Sequence, residues 1–199
     1  MDRSLLFVTT IFCACLVSTV VAQADSPRDF LYKAQEGNNS EIMLGRLAVE
    51  RARNPAVREF GESLVSDHRQ AREEVRALGA RFGVRPNRDP SAEAREERQK
   101  LMSMGGRRFD REFIRYMIED HEKDVSAFRE EAREGNSPVQ ELARRQLPTL
   151  RHHLEMARSL DDTRSRDRDD QASERESWRN RPARDAADSR GTDRDGNDR

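Results

Sequence analysis

Four histidines occur in the 199 residues, His68, His121, His152 and His153. Three of them, His68, His121 and His153, fall on apolar stripes of helical period, and Glu41 falls on a fourth. Together these make one convergent polar set, with one member on each of four amphipathic segments. Imidazole nitrogens and a carboxylate meeting inside a helical bundle can hold a transition metal such as Zn, Cu, Ni or Fe. Asp124 lies one turn after His121 and makes a fifth candidate ligand. The same residue types allow a metal-free layer, in which the interior His and Glu side chains, with Asp67 and Asp120, satisfy one another across helices and specify their register. Both readings stand on residue type alone. A two-iron centre does not, because the residues three positions before the histidines are Val65, Ile118, Thr149 and Leu150, none of them a ligand. That disfavours an oxidase or an iron store. No catalytic residue is assigned, since there is no phosphate-cradling Gly loop, no Gly-x-Ser-x-Gly elbow and no His-Glu-x-x-His helix.

The elements that must position this set are helical. Apolar residues recur in steps of three and four through about 27–52, 55–82, 109–133 and 139–160, and no run has the period of a strand. Asn54-Pro55 and Asn136-Ser137-Pro138 are start signals for the second and fourth helices, and Gly83 and Gly135 stop the second and third. Gly37-Asn38-Asn39 is expected to kink or break the first helix. The short turns set the height of each polar residue. Glu41 precedes the first turn by about as many residues as His68 follows it, and His121 and His153 are matched in the same way about the second. At ~1.5 Å per residue all four sit near mid-helix, in one layer.

The 24 residues of 83–106 are too many for a simple turn. Extended at ~3.3 Å each they reach about 79 Å, enough to cross over along a helix of about 42 Å. A short surface helix is expected within 91–104, capped by Ser91. The two hairpins also resemble each other. Asn54-Pro55-Ala56-Val57 overlays Asn136-Ser137-Pro138-Val139, and a similar offset carries Glu41 onto His121.

Composition divides the chain into three. Residues 4–24 carry no charge and end in Ala22-Gln23-Ala24, so 1–24 reads as a secretory signal cleaved before Asp25, with an uncleaved anchor as the alternative. Cys13 and Cys15 lie within it, which leaves the mature chain without thiols. Residues 25–160 form the bundle. Residues 161–199 contain 12 acids and 10 arginines but no Leu, Ile, Val, Phe or Met, and are expected to be a disordered tail, with a tether to a cell-envelope partner as its candidate role. The whole chain balances 37 basic against 38 acidic side chains, a net charge of -1, which argues against nucleic acid as a partner.

The ordered motifs carry a resemblance. Glu41-Ile42-Met43-Leu44-Gly45-Arg46-Leu47-Ala48, Val65-Ser66-Asp67-His68, Met117-Ile118-Glu119-Asp120-His121 and Leu147-Pro148-Thr149-Leu150-Arg151-His152-His153-Leu154 resemble a bacterial exported domain family of unknown function. Its members are often described as predicted outer-membrane or membrane proteins. The resemblance covers about 29–160. It implies a ferritin-like four-helix bundle with a long crossover between the second and third helices, and marks Glu41, His68, His121 and His153 as the recurring polar positions. It supplies no reaction. The expected protein is therefore an exported bundle, periplasmic, envelope-associated or released. Its function is metal binding or, alternatively, a metal-free structural or interaction role.

Overall fold

The computed structural model describes residues 26–133 and 135–179, and among these it is all-helical. Five helices follow in order: α1 Pro27–Arg51, α2 Pro55–Arg81, α3 Ala92–Met102, α4 Gly106–Glu131 and α5 Pro138–Arg179. The expected signal segment and residues 180–199 lie outside the described residues. None of the described helices is long and apolar enough to cross a membrane.

Side-chain caps start α1, α2 and α3. The Ser26 hydroxyl accepts from the Asp29 backbone N–H at 3.2 Å, the Asn54 side chain from Ala56 at 3.0 Å, and Ser91 from Ala94 at 3.1 Å. Each satisfies an amide that the first turn leaves without a helical partner. Gly83 and Gly135 take φ of 69° and 85° beyond α2 and α4, a conformation that costs other residues a clash at Cβ.

The crossover runs back along α1. Gln35 holds the strap by the backbone of Asn87 at 2.8 Å, Asn39 by the carbonyls of Asn87 and Asp89 at 3.1 and 3.3 Å, and Ser40 by the Ser91 amide at 3.0 Å. At the far end Arg51 reaches the Met104 carbonyl at 3.3 Å. Buried Asp110, near the start of α4, accepts from the Arg53 and Asn54 amides at 2.9 and 3.1 Å. The start of α4 is thereby fixed beside the α1–α2 turn. So α1 and α5 run one way and α2 and α4 the other, with α1 packed on α2 and α4, and α5 on α2 and α4.

Two expectations change. α1 does not break at Gly37-Asn38-Asn39: Asn38 bonds the Ala34 carbonyl of its own helix at 2.6 Å, Asn39 is occupied by the strap, and the Ser40 hydroxyl returns to Glu36 at 2.8 Å. These bonds form without opening the helix. The tail expected to be disordered from Asp161 is helical as far as Arg179. No Gly or Pro interrupts 149–181, and pairs such as Asp162 and Arg166 stand at the spacing that supports a helix without a core.

The core lies in two parts. One is built on Leu44, Phe60, Leu64, Phe109, Phe113 and Met117, the other on Leu31, Val75, Val125, Phe128, Leu142 and Leu150. In all four long helices the polar residues flagged by sequence lie at the join. Near it α1 and α2 approach closely at paired glycines: a Cβ on Gly45 would stand 2.9 Å from the Gly61 carbonyl oxygen, and one on Gly61 2.8 Å from that of Gly45. A Cβ on Gly37 would meet nothing nearer than 4.0 Å. Alanine is therefore expected to act with opposite sign at two places. Gly61→Ala must push the helices apart, and loses about 1–3 kcal/mol less any gain in helix propensity. Gly37→Ala gains about 0.5–1 kcal/mol from propensity alone. Urea midpoints of the two variants beside wild type measure both.

Candidate metal centre

His68 on α2, His121 on α4 and His153 on α5 turn inward to one point. One nitrogen from each ring lies within 4.8 Å of those from the other two. Ring centroids are 5.9 Å apart for His68 and His121, 5.2 Å for His68 and His153, and 5.4 Å for His121 and His153. His121 and His153 are fully buried and His68 is 4% exposed. His152, the next residue along α5, is exposed.

Each ring is held from outside by one nitrogen. His68 Nδ1 donates to the Asn38 side-chain oxygen at 3.0 Å, His121 Nδ1 to the Met117 carbonyl at 3.0 Å, and His153 Nε2 to the Asp67 carboxylate at 2.9 Å. The partners can only accept at these atoms, so each bond places the proton on the outer nitrogen. The other nitrogen then carries a lone pair. His68 Nε2, His121 Nε2 and His153 Nδ1 are buried without a hydrogen-bond partner.

Glu41 on α1 completes the layer from a different side. It groups with Asp120 and His121, one ligand atom from each lying within 4.8 Å of the others. Glu41 is fully buried, and neither of its oxygens has a partner. Its neighbour Asp120 is a second carboxyl group, which can bond it only if one of the two is protonated. Of the seven buried side-chain N and O atoms without a partner among the described residues, five belong to Glu41 and the three histidines. Native interiors contain few such atoms, so their concentration in one layer marks it as a site.

Electrostatics follow burial. Loss of solvent, followed by the mutual proximity of the rings, holds the His68 pKa well below the ordinary imidazole range. Burial and His153 lower His121 to about 4, against the opposing pull of Asp120 and the Met117 carbonyl. Burial lowers His153, and Asp67 partly restores it. Glu41 moves the other way, raised well above the carboxylate range by burial first, then by Asp120 and Asp124. Near neutral pH the rings are therefore uncharged and able to donate their lone pairs.

Of the five ligands expected from sequence, the structure brings His68, His121 and His153 into one group and Glu41 into the adjoining one. Asp124 joins neither. It lines a cavity of about 520 Å³ beside His68, where burial and Asp120 push its pKa up to about 8. Asp120 takes the place beside Glu41. Sequence reasoning missed Asn38 as the holder of the His68 ring, while Asp67, expected as a cross-helix partner, is found on His153. Asp67 directly precedes His68 and so points about 100° away from it around α2. That turn aims it at His153 on the neighbouring α5.

The fold and this layer define an all-helical bundle with a buried histidine and carboxylate cluster. Residues 17–160 match the family described as "Domain of unknown function (DUF4142)", and the chain belongs to that family. Among solved structures it is similar to the "Crystal structure of DUF305 fragment from Deinococcus radiodurans", with a TM-score of 0.60 and 22% identity, covering 68% of this chain and 95% of that one. At that identity the likeness is one of fold. No curated protein sequence matches the chain.

The lowered pKa of His121 fixes a direction for stability against pH. Between about 6.5 and 4 the unfolded chain takes up a proton there that the folded chain refuses, so stability is lost as pH falls through this window. Glu41 and Asp124 act with the opposite sign, since their raised values favour the folded state as pH falls. Comparing metal-free wild type with His121→Leu isolates the histidine. Between pH 7 and 4 wild type should lose on the order of 3 kcal/mol more than the variant, read from urea unfolding at each pH.

Proposed function

We propose that this protein is an exported bundle of ferritin-like, four-helix topology whose function is to bind one transition-metal ion among His68, His121 and His153, with Glu41 in the adjoining group beside His121. The observation that carries the reading is the set of three unpartnered nitrogens, one from each ring of the cluster. Each is buried, each is an acceptor by virtue of the outer bond its ring makes, and none has a donor. Acceptors cannot satisfy one another, so the side chains alone leave their desolvation uncompensated. A cation that accepts three lone pairs compensates all of them at once.

The outer bonds have the form that metal-bound histidines make, with the second N–H given to a carboxylate, an amide oxygen or a backbone carbonyl. Three neutral imidazoles and a carboxylate suit Zn, Cu, Ni or Fe better than Mg or Ca, which take oxygen ligands. Glu41 would supply negative charge to the buried ion, and the ion in turn would favour the ionised carboxylate that burial now disfavours. Export rests on the uncharged 4–24 segment and its Ala22-Gln23-Ala24 end. It places the protein in the periplasm, at the envelope or outside the cell.

Elemental analysis of protein purified from its native compartment is expected to find near-stoichiometric metal in wild type and none in a His68→Ala/His121→Ala variant. Added ion at about 100 times its Kd should stabilise wild type by ~2.7 kcal/mol and leave the variant unchanged. A wild type without bound metal, whose melting temperature no added ion raises, overturns the reading. Asp67→Asn tests the outer shell separately. It should weaken metal affinity by about 10–100-fold with the stoichiometry preserved, measured by competition with a chelator of known affinity.

A further inference from the structure

The cavity of about 520 Å³ beside His68 lies between α1, α2, α4 and α5, all four of which contribute to its wall. Its volume depends on small residues, with Gly37, Ala71 and Ala127 facing it where larger side chains would close it. His68 is the one member of the histidine trio on that wall. Asn38, which holds the His68 ring, and Asp67, which holds the His153 ring, stand on it too. On the other side of the layer Phe60, Leu64, Phe113 and Met117 are fully buried in a continuous apolar cluster. A hydrated ion cannot cross that cluster without losing its water to hydrocarbon.

We propose that this cavity is the route by which a divalent transition-metal ion reaches the histidine layer, handed inward from the carboxyl groups of Asp67 and Asp124 to His68. The proposal rests on the metal-binding reading and adds to it the path, the direction of approach and the first ligand met. The acidic groups come before the imidazoles because oxygen ligands exchange with the ion's water, while the buried nitrogens receive it only once that water is shed. The wall also carries Lys33, Lys123 and Arg145. The charge of Lys123 is answered from outside the cavity by Glu93 at 2.8 Å. Asp67, Glu74 and Asp124 are the carboxyl groups on the same wall.

Filling the cavity tests the route. Metal-free full-length chain is mixed in stopped flow with Zn(II) or Co(II), and the uptake rate is read by competition with a chromophoric chelator. Ala71→Leu and Ala127→Leu, on different helices, are compared with wild type and with Ser66→Leu on the exposed face of α2, after circular dichroism shows each to be folded. Both filled variants should slow loading by about tenfold or more, equal to ~1.4 kcal/mol of added barrier, and slow release equally. Stoichiometry and Kd should then match wild type, because an obstructed path alters both directions alike. Ser66→Leu should load at the wild-type rate. If wild type takes up metal and the filled variants load as fast, the route is overturned and the binding reading stands. Filled variants that lose stoichiometry would assign those positions to the site itself and also overturn the route. If wild type takes up no metal, the binding reading fails first.

Discussion

The structure turns on the desolvation of four titratable side chains in the middle of its core. An imidazole or carboxyl group removed from water needs a partner for each polar atom, and here each ring has one on its outer side and none on its inner side. The layer they form separates two apolar clusters and is the one height at which all four long helices are polar within. That fixes helix register. Sliding any of these helices by one residue would turn its histidine or glutamate through about 100°, away from the layer.

Much of the remaining architecture keeps these groups in place. Asn38 holds the helical turn of α1 with its amide nitrogen and the His68 ring with its oxygen, so one side chain joins α1 to α2. Asp67 ties α2 to α5 in the same way, and the Met117 carbonyl sets the His121 ring from within α4. The glycine pair Gly45 and Gly61 lets α1 and α2 approach until each carbonyl oxygen stands too close to leave room for the other's Cβ. Asp110 sets where α4 begins by capturing the two amides that the α1–α2 turn leaves free. Each is a short-range contact with consequences at the layer, since helix height and rotation determine which nitrogens meet.

The helices were legible because their signals are local. Asn54 and Ser91 cap as their positions suggest, Gly83 and Gly135 adopt positive φ, and the apolar stripes around His68, His121 and His153 are buried as periodicity implies. Counting residues from the two short turns also brought the polar layer to one level. Two local readings differed from the structure. Gly37-Asn38-Asn39 looked like a break because propensity takes no account of the strap that would occupy Asn39 and the ring that would occupy Asn38. The segment after Asp161 looked disordered because composition measures core-forming capacity, whereas the helix continues there to Arg179.

The sequence by itself determined the helices, their order and the height at which Glu41, His68, His121 and His153 stand, because helical period and turn chemistry act between residues a few positions apart. Only the tertiary structure decided which of them share a point, that Asp120 rather than Asp124 lies beside Glu41, and which nitrogen of each ring remains free. Those outcomes depend on how helices rotate against one another and on bonds such as Asp67 to His153, whose partners are 86 residues apart. The direction of the crossover was likewise open to a 24-residue segment long enough to run either way. The amides and carbonyls of the strap settled it by pairing with Gln35, Asn39 and Ser40, because a backbone laid against a helix must find partners for its polar groups there.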